Sequence, residues 1–170
     1  MSSEEKIAAF PVRYVDFPER EVAYIRVVGS FEMDRTIAAF QTMMDWAKSQ
    51  NIFAEGTLFG MTVDDVDVTP AHLHRYEVCL SSSSTFELAE GMSKLTMPAM
   101  RYAVVTVSGD LHMVGTAWDY LIREWLINSP FEPEHAAAME IFRDKEKATD
   151  WSHFDLDICL PIKQLEKTGG

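Results

Sequence analysis

The sequence contains few of the residues that mark several large classes of protein. Only two of its 170 residues are cysteine, Cys79 and Cys159, and they form no CxxC pair and no zinc-ligand spacing. A disulfide scaffold and a zinc finger are therefore excluded, and both thiols are expected to be reduced. No apolar run reaches about 18 residues, and no charged-then-apolar leader opens the chain. We therefore expect a protein that spans no membrane and works in the cytoplasm.

Basic residues are also scarce. Fifteen Lys and Arg residues face 27 Asp and Glu residues, which gives a formal net charge of −12. Such a field repels phosphate backbones and anionic membranes, so we expect no direct nucleic-acid binding and no membrane partner. It favours cationic ligands or a basic protein partner instead. The 47% hydrophobic and 25% charged residues suffice for a buried core, and we predict one domain over residues 1–170.

Two long segments of the chain resemble each other. The segment "PEREVAYIRVVGSFEM" (18–33) aligns with "PAMRYAVVTVSGDLHM" (98–113), so that Gly29 falls on Gly109. The same shift of 80 residues places "EVCL" (77–80) on "DICL" (157–160). A constant shift at both ends of two segments indicates an internal repeat. We predict repeat one at about 10–81 and repeat two at about 95–163.

Each predicted repeat has the order β-α-β-β. Apolar residues recur at helical spacing in 32–49 and 111–127, and β-branched or alternating residues predict strands elsewhere. The predicted strands are 11–16, 21–28, 57–63, 75–81, 101–108, 137–143 and 155–161, with a connector at 81–94. We expect an α+β fold of tandem repeats, an SHS2-like pseudo-dimer. Its antiparallel sheet carries two helices on one face and a ligand groove on the other.

One acidic residue, Glu140, interrupts an otherwise apolar strand. Strand alternation places Met139 and Ile141 on one face, and Ala138, Glu140 and Phe142 on the other. The counterpart of Glu140 in repeat one is Gly60, which has no side chain.

These positions predict an asymmetric hollow that holds one acid among aromatic residues, as small-molecule pockets do. The open alternative is a solvated glutamate on an exposed sheet face. A buried, unpaired carboxylate costs roughly several kcal/mol, so it requires a cation or a proton.

Three other motifs do not fit the functions that their residue types suggest. The acidic run "DDVDV" (64–68) lacks the glycine and distal glutamate of a calcium loop, and a solvated turn is expected. His72 and His74 have no third ligand nearby in the sequence, so we predict no metal site. The serines at 81–84 lack a glycine elbow and a paired histidine motif. No cofactor is indicated.

The sequence resembles a known family at several motifs. The segments "YAVVTVSGDLHMVGTAWDYLIREWL" (102–126), "AMEIFRD", "DLDICLPIK" (155–163) and "GMTVDDVDVTPAHLHRYEVCL" (60–80) are similar to the GyrI-like small-molecule-binding domain. That family includes DNA gyrase inhibitory proteins and effector-binding domains of AraC-type and MerR-type regulators. The resemblance covers about residues 10–163. It implies a ligand groove between two halves, with Glu140 facing cationic, amphiphilic, often aromatic ligands.

The resemblance also implies the remaining site residues and the function. Cation–π contacts from Tyr102 or Trp118 would each add roughly 0.5–2 kcal/mol. The other expected ligand contacts are Phe142, Gly60, Leu58 and Ala138. The regulators carry a separate DNA-binding segment for which this sequence has no room, so we expect a stand-alone module.

The leading hypothesis is therefore a binding protein for hydrophobic, cationic aromatic small molecules. One alternative is a hydrolase that opens cyclopropane rings of alkylating natural products, with Glu140 and Tyr102 as catalytic residues. In this alternative Tyr102 is expected on the same sheet face as Glu140, as its hydrogen-bond helper. The other is an acidic module that modulates DNA gyrase, because complementary charge speeds association with a basic enzyme.

Overall fold

The computed structural model describes residues 1–29, 33–64 and 68–166. These residues form three α-helices and nine β-strands. The helices are α1 (Ser3–Ala9), α2 (Met33–Ser49) and α3 (Leu111–Asp119). The strands are β1 (Arg13–Phe17), β2 (Arg20–Val28), β3 (Thr57–Thr62), β4 (Arg75–Ser82), β5 (Ser93–Met97), β6 (Met100–Gly109), β7 (Phe131–Pro133), β8 (Met139–Phe142) and β9 (Phe154–Gln164). The α+β class predicted from the sequence is confirmed.

All the strand pairs are antiparallel, and eight strands follow the order β1-β6-β9-β8-β3-β4-β2-β5, with β7 paired to β9. The middle of the sheet is the pair of short strands β3 and β8, where Gly60 lies opposite Glu140. The sheet therefore places side by side the two positions that the sequence alignment had matched.

The helix predicted at 111–127 changes its geometry along its length. Asp110 caps its start, because its Oδ1 accepts a hydrogen bond from the Met113 backbone N–H at 2.9 Å. The α-helix ends at Asp119 and continues as a π-helical turn (Tyr120–Trp125) and a 3-10 turn (Leu126–Asn128). The first predicted helix, 32–49, is observed over the described residues 33–49. Helix α1 and strands β5 and β7 were not predicted.

The two faces of the sheet bury different side chains. Ala103, Val105 and Ile158 pack with the helices, whereas Tyr102, Met139 and Cys159 form a second cluster on the opposite face. The strand register explains this division, because Tyr102 pairs with Pro161 and Glu140 pairs with Ile158. Directly opposed residues share a face and neighbours along a strand alternate. Tyr102 and Glu140 therefore lie on opposite faces, and the prediction that they share one is wrong.

The helices leave the centre of their own face uncovered. Helix α2 packs on β2 and β4, and α3 packs on β6 and β9. Between them the strands β3 and β8 form the floor of a groove on the helix-bearing face. The prediction of a ligand groove on the helix-free face is therefore wrong for the groove that contains Glu140, since that residue projects between the helices.

No helix in the described part of the chain combines the length and the apolar character that crossing a membrane requires.

Candidate functional site

The site is built around the carboxylate of Glu140, at the second position of β8. Helix α3 contributes Trp118, whose indole Nε1–H donates to Glu140 Oε2 at 3.1 Å. Strand β4 contributes Tyr76, whose hydroxyl donates to Glu140 Oε1 at 3.5 Å. Each oxygen of the carboxylate therefore faces one neutral donor, and the two donors come from opposite sides of the groove.

Gly60 makes the position of Tyr76 possible. A Cβ atom on Gly60 would overlap the hydroxyl and the Cζ atom of the Tyr76 ring. The phenol therefore lies across the bare backbone of β3 to reach the neighbouring strand β8. The predicted hollow above Gly60 exists, but the ring of Tyr76 fills it. The expectation that a ligand contacts Gly60 directly is corrected accordingly.

The surroundings of Glu140 favour its neutral form. Burial raises the pKa of the Glu140 carboxyl above its ordinary value of 4.5, while the hydrogen bonds from Trp118 and Tyr76 oppose that rise. Burial also raises the pKa of the Tyr76 phenol well above its ordinary value, and the adjacent Glu140 charge raises it further. Tyr76 therefore remains a hydrogen-bond donor while the protonation of Glu140 changes.

No cationic side chain in the part of the chain that the structure describes compensates Glu140. Among the described residues no Lys, Arg or His lies within ion-pair distance of its carboxylate. The contrast is Glu77 on the same strand as Tyr76, whose buried carboxylate pairs with Arg26 at 2.5 Å. Because the buried Glu77 has a cationic partner, the lack of one among the described residues beside the partly buried Glu140 leaves room for a positively charged ligand.

The carboxylate opens into a cavity of about 200 Å³. Its walls come from both helices, the central strands and the start of β9. The lining residues are Thr36, Thr62, His74, Tyr76, Leu111, Val114, Glu140, Phe142, Trp151, Phe154 and Leu156. An adjacent cavity of about 170 Å³ shares the rings of Phe142 and Phe154. Most of the walls are apolar or aromatic, which is usual for small-molecule sites.

The structure brings together some of the residues predicted from the sequence. Glu140 and Phe142 line the cavity, and Trp118 bonds the carboxylate from α3. Leu58 lies on the same sheet face but is fully buried in the core, and Ala138 immediately precedes β8. Neither is among the lining residues. Tyr102 packs edge-on against Phe17 at 5.3 Å between ring centroids, on the other face.

Sequence reasoning missed several residues of the site. Tyr76 had a usable signal, because it alternates with Val78 and Leu80, which face the helices. Trp151 and Phe154 lie before and at the start of β9, and their rings contact at 5.7 Å. Trp151 lies in a turn, where the residues follow no helical or strand periodicity that could predict which way its side chain faces. Thr36 lies at a helical position that reads as an ordinary polar residue of an amphipathic helix.

The histidines weighed as metal ligands have separate roles. His74 is buried, and its Nε2 lies 2.7 Å from the Thr69 carbonyl oxygen, so this nitrogen carries a proton and donates. His72 is exposed on a 3-10 turn. Residues 1–29, 33–64 and 68–166 include no group of three potential metal ligands. Within the acidic run 64–68, residues 65–67 lie outside the described residues, and Asp64 pairs with Arg75 at 2.7 Å.

A second, larger groove lies elsewhere on the molecule. It measures about 430 Å³, and its lining includes Pro18, Arg20, Glu55 and Ser82. Ser82 donates a short hydrogen bond to Glu55, and Arg20 donates to the Pro18 carbonyl oxygen. This groove is more open and more polar than the cavity at Glu140, so it is a weaker candidate for a hydrophobic ligand.

Comparison with known proteins gives the same family as the sequence motifs. The family model of the GyrI-like small molecule binding domain matches residues 10–163. A protein of Escherichia fergusonii named DNA gyrase inhibitor is 24% identical over 148 residues, which cover 85% of this chain and 92% of the relative. Because the family model spans nearly the whole sequence, the chain belongs to the GyrI-like small-molecule-binding family.

Two solved structures show a similar fold. The EcmrR chain in its cryo-EM complex with DNA matches 95% of this chain, with a TM-score of 0.74 and 16% identity. This chain spans 60% of the length of that EcmrR chain. The structure of SAV2435 bound to tetraphenylphosphonium matches 89% of this chain and 93% of its own, with a TM-score of 0.60 and 13% identity.

Proposed function

We propose that this member of the GyrI-like family binds hydrophobic, cationic aromatic small molecules in the cavity beside Glu140. The observation that carries the proposal is the partly buried carboxylate of Glu140, which meets neutral hydrogen-bond donors and aromatic walls but no described cation. A ligand cation would supply the missing countercharge. Its aromatic substituents would replace water on the rings of Phe142, Trp151 and Phe154.

The energetics favour a cation over a neutral compound of the same shape. At an effective dielectric constant of about 20, unit charges about 5 Å apart attract by roughly 3 kcal/mol. Cation–π contact with each favourably placed ring adds roughly 0.5–2 kcal/mol. The Glu140 carboxylate has already lost part of its hydration in the free protein. The free-energy cost of removing water from it when the ligand binds is therefore smaller.

The size of the cavity limits how a ligand enters. Drug-sized ligands occupy pockets of roughly 300–1,000 Å³, which is more than the 200 Å³ beside Glu140. The adjoining cavity is separated by the rings of Phe142 and Phe154. Phe142 packs against Phe40 at 4.9 Å between ring centroids, whereas Phe154 contacts Trp151, which lines the same cavity. We infer that movement of Phe154 joins the two cavities when a bulky ligand binds.

A protein of similar fold supports the same ligand class. SAV2435 was solved with tetraphenylphosphonium, a hydrophobic cation with four aromatic rings. Tetraphenylphosphonium is the ligand of SAV2435. At 13% sequence identity, the similarity between SAV2435 and this chain shows a shared fold and nothing more. Tetraphenylphosphonium nevertheless provides a probe of suitable chemistry for the cavity described above.

Isothermal titration calorimetry with two probes tests the proposal. Tetraphenylphosphonium carries the charge, and triphenylphosphine oxide is a neutral aromatic analogue. The wild type should prefer the cation, and Glu140→Gln should lose that preference. The glutamine oxygen can still accept from the Trp118 indole N–H, and its NH2 group can donate to the Tyr76 hydroxyl. Glu90→Gln is the matched control, because it removes one charge at an exposed position. Equal binding of the cation by wild type and Glu140→Gln would exclude Glu140 from the site.

A second candidate function is hydrolysis of a strained electrophile. Its support is the position of the Glu140 carboxyl in the cavity beside the Tyr76 hydroxyl. Burial also raises the pKa of this carboxyl above its ordinary value, which favours the protonated form that can act as a general acid. Water would add across one bond of a cyclopropane ring, with hydroxide on one carbon and a proton on the other. Tyr76, rather than Tyr102, is the hydroxyl near the acid. Incubation with a cyclopropane-bearing alkylator should yield a water adduct with wild type but not with Glu140→Gln, whereas unchanged compound in both would favour binding alone.

A third candidate function is binding to a protein partner, DNA gyrase, rather than to a small molecule. The net charge of −12 favours association with a basic surface, and a relative is named DNA gyrase inhibitor. Purified gyrase should be retained by the immobilised protein at low salt and released as salt rises. Failure to retain gyrase at low salt would remove this alternative.

We also infer that the fold is a tandem repeat. Gly60 and Glu140 lie 80 residues apart and pair directly, while Phe59 pairs with Ile141 and Met61 pairs with Met139. A two-fold axis through the Gly60–Glu140 pair would exchange positions 59 and 139, and positions 61 and 141. The orders β6-β9-β8 and β2-β4-β3 on either side of that axis support the same symmetry.

A further inference from the structure

One polar atom in the cavity wall lacks a partner. Thr36 lies in the first turn of α2 and is 2% exposed. Its hydroxyl oxygen is shielded from solvent and has no hydrogen-bond partner among the described residues. Thr36 lines the same cavity as Glu140. Thr36 is thus a wall residue of the proposed ligand site, and its unused hydroxyl is shielded from the open space of the cavity in the free protein.

Two other threonines lie in helices but outside the cavity, and both of their hydroxyls have hydrogen-bond partners. Thr42 in α2 and Thr116 in α3 each donate to the carbonyl four residues earlier, Ala38 and His112, at 3.0 Å. This bond is the usual way in which a helix satisfies a threonine hydroxyl. A buried hydroxyl without any bond costs roughly 1–3 kcal/mol, so such groups in native proteins call for a specific explanation.

Three other polar side chains at the site are already engaged. The hydroxyl of Tyr76 and the indole N–H of Trp118 both donate to Glu140, and Nε2 of His74 donates to Thr69. Thr36 differs from all three because its hydroxyl bonds nothing in the described part of the protein. It can both donate and accept a hydrogen bond. Rotation about one side-chain bond redirects the hydroxyl, since threonine populates two rotamers in helices.

We propose that Thr36 is a specificity-determining residue that hydrogen-bonds a polar group of the ligand. The preferred ligand is then a cationic aromatic compound that also carries a hydroxyl, ether or carbonyl oxygen. Glu140 selects the charge and Thr36 selects the second group. This inference rests on the proposed function of the cavity, and it narrows the ligand class beyond a purely hydrophobic cation.

Matched phosphonium probes test Thr36 separately from Glu140. Tetraphenylphosphonium has no hydrogen-bonding group, whereas its meta-hydroxyphenyl and para-hydroxyphenyl derivatives add a single hydroxyl at two positions. Wild type should bind one hydroxylated isomer more tightly than the parent by about 10-fold, as expected for one hydrogen bond in a dry site. Thr36→Val should abolish that preference, so that this variant binds the parent and both hydroxylated isomers with equal affinity. Thr36→Ser should retain it.

Thr42→Val is the control, since it removes a threonine hydroxyl from the same helix outside the cavity. It should leave the preference of the wild type intact. Equal affinities of wild type for the parent and both hydroxylated isomers would overturn the role of Thr36 alone. A lack of binding by every phosphonium would overturn both this role and the proposed function.

A measurement without ligand tests the premise. Replacing an unpartnered hydroxyl by the methyl group of valine should move the urea midpoint of Thr36→Val to a higher concentration than that of wild type. A lower midpoint would show that the hydroxyl has a partner in the free protein, and the proposal would then be wrong.

Discussion

The close approach of Tyr76 to Gly60 leads to a quantitative prediction about the geometry of the site. In Gly60→Ala the new methyl group meets the hydroxyl and Cζ of Tyr76, so the ring must leave the position from which it bonds Glu140. Overpacking of this kind costs roughly 1–3 kcal/mol, and replacing glycine by alanine in a strand recovers roughly 0.5–1 kcal/mol. We expect a net loss of about 1–2 kcal/mol in the free energy of unfolding.

Urea denaturation followed by circular dichroism measures this loss. For an m-value of about 2 kcal/mol/M, the midpoint should fall by roughly 0.5–1 M. In the double variant Gly60→Ala/Tyr76→Ala the clash disappears, so the two losses should not add, and their coupling should be about 1–3 kcal/mol. Gly115→Ala is the control, because a methyl group at this helical position meets no described atom and should stabilise by roughly 0.5–1 kcal/mol. If Gly60→Ala were stabilised like Gly115→Ala, the assigned position of the Tyr76 ring would be refuted.

Three further predictions concern Glu140 and its neighbours. Trp118→Phe removes a hydrogen-bond donor to Glu140, so the pKa of that carboxyl should rise further. The pH at which the affinity for tetraphenylphosphonium is half-maximal should therefore increase. An unchanged pH profile of this affinity would contradict the assigned hydrogen bond. Phe154→Ala should strengthen the binding of bulky cations several-fold, as titration calorimetry would show. Urea denaturation should show that the free energy of unfolding falls by roughly 3–5 kcal/mol. Weaker binding would argue against Phe154 as the barrier between the cavities. Because burial raises the folded-state pKa of Glu140 above 4.5, its stabilising contribution is complete below that pH and is lost as pH rises through the folded pKa. Glu140→Gln should therefore gain stability relative to wild type on going from acidic to neutral pH, and a constant difference across that range would contradict the raised pKa.

The sequence predicted the elements whose own residues follow a periodic pattern, and it did not predict those that depend on contacts with distant parts of the chain. Strands β2 and β6 and helix α2 have strong periodic patterns, and their positions followed from those patterns. The short strand β5 begins inside the connector predicted at 81–94, and it is held by pairing with β2, a long-range contact that its local sequence does not reveal. The π-helical turn after Asp119 likewise depends on tertiary packing that a helical period does not encode.

The site shows the same division between local and long-range information. The alternation around Glu140 correctly placed Phe142 beside it, because both depend on one strand. The partner of Glu140 was assigned wrongly to Tyr102, since the relative faces of distant strands depend on register. In the structure the partners of Glu140 are Tyr76 from β4 and Trp118 from α3. The uncovered centre of the helix-bearing face also depends on where the two helices pack.

The most direct test of the central claim is to locate a heavy-atom cation in crystals of the protein. Tetraphenylarsonium has the shape of tetraphenylphosphonium, and its arsenic atom gives an anomalous signal. The account predicts one arsenic peak beside the Glu140 carboxylate in wild type, between α2 and α3, and no peak there in Glu140→Gln. A peak in the groove formed by Pro18, Arg20 and Ser82, or an equal peak beside position 140 in both proteins, would contradict it.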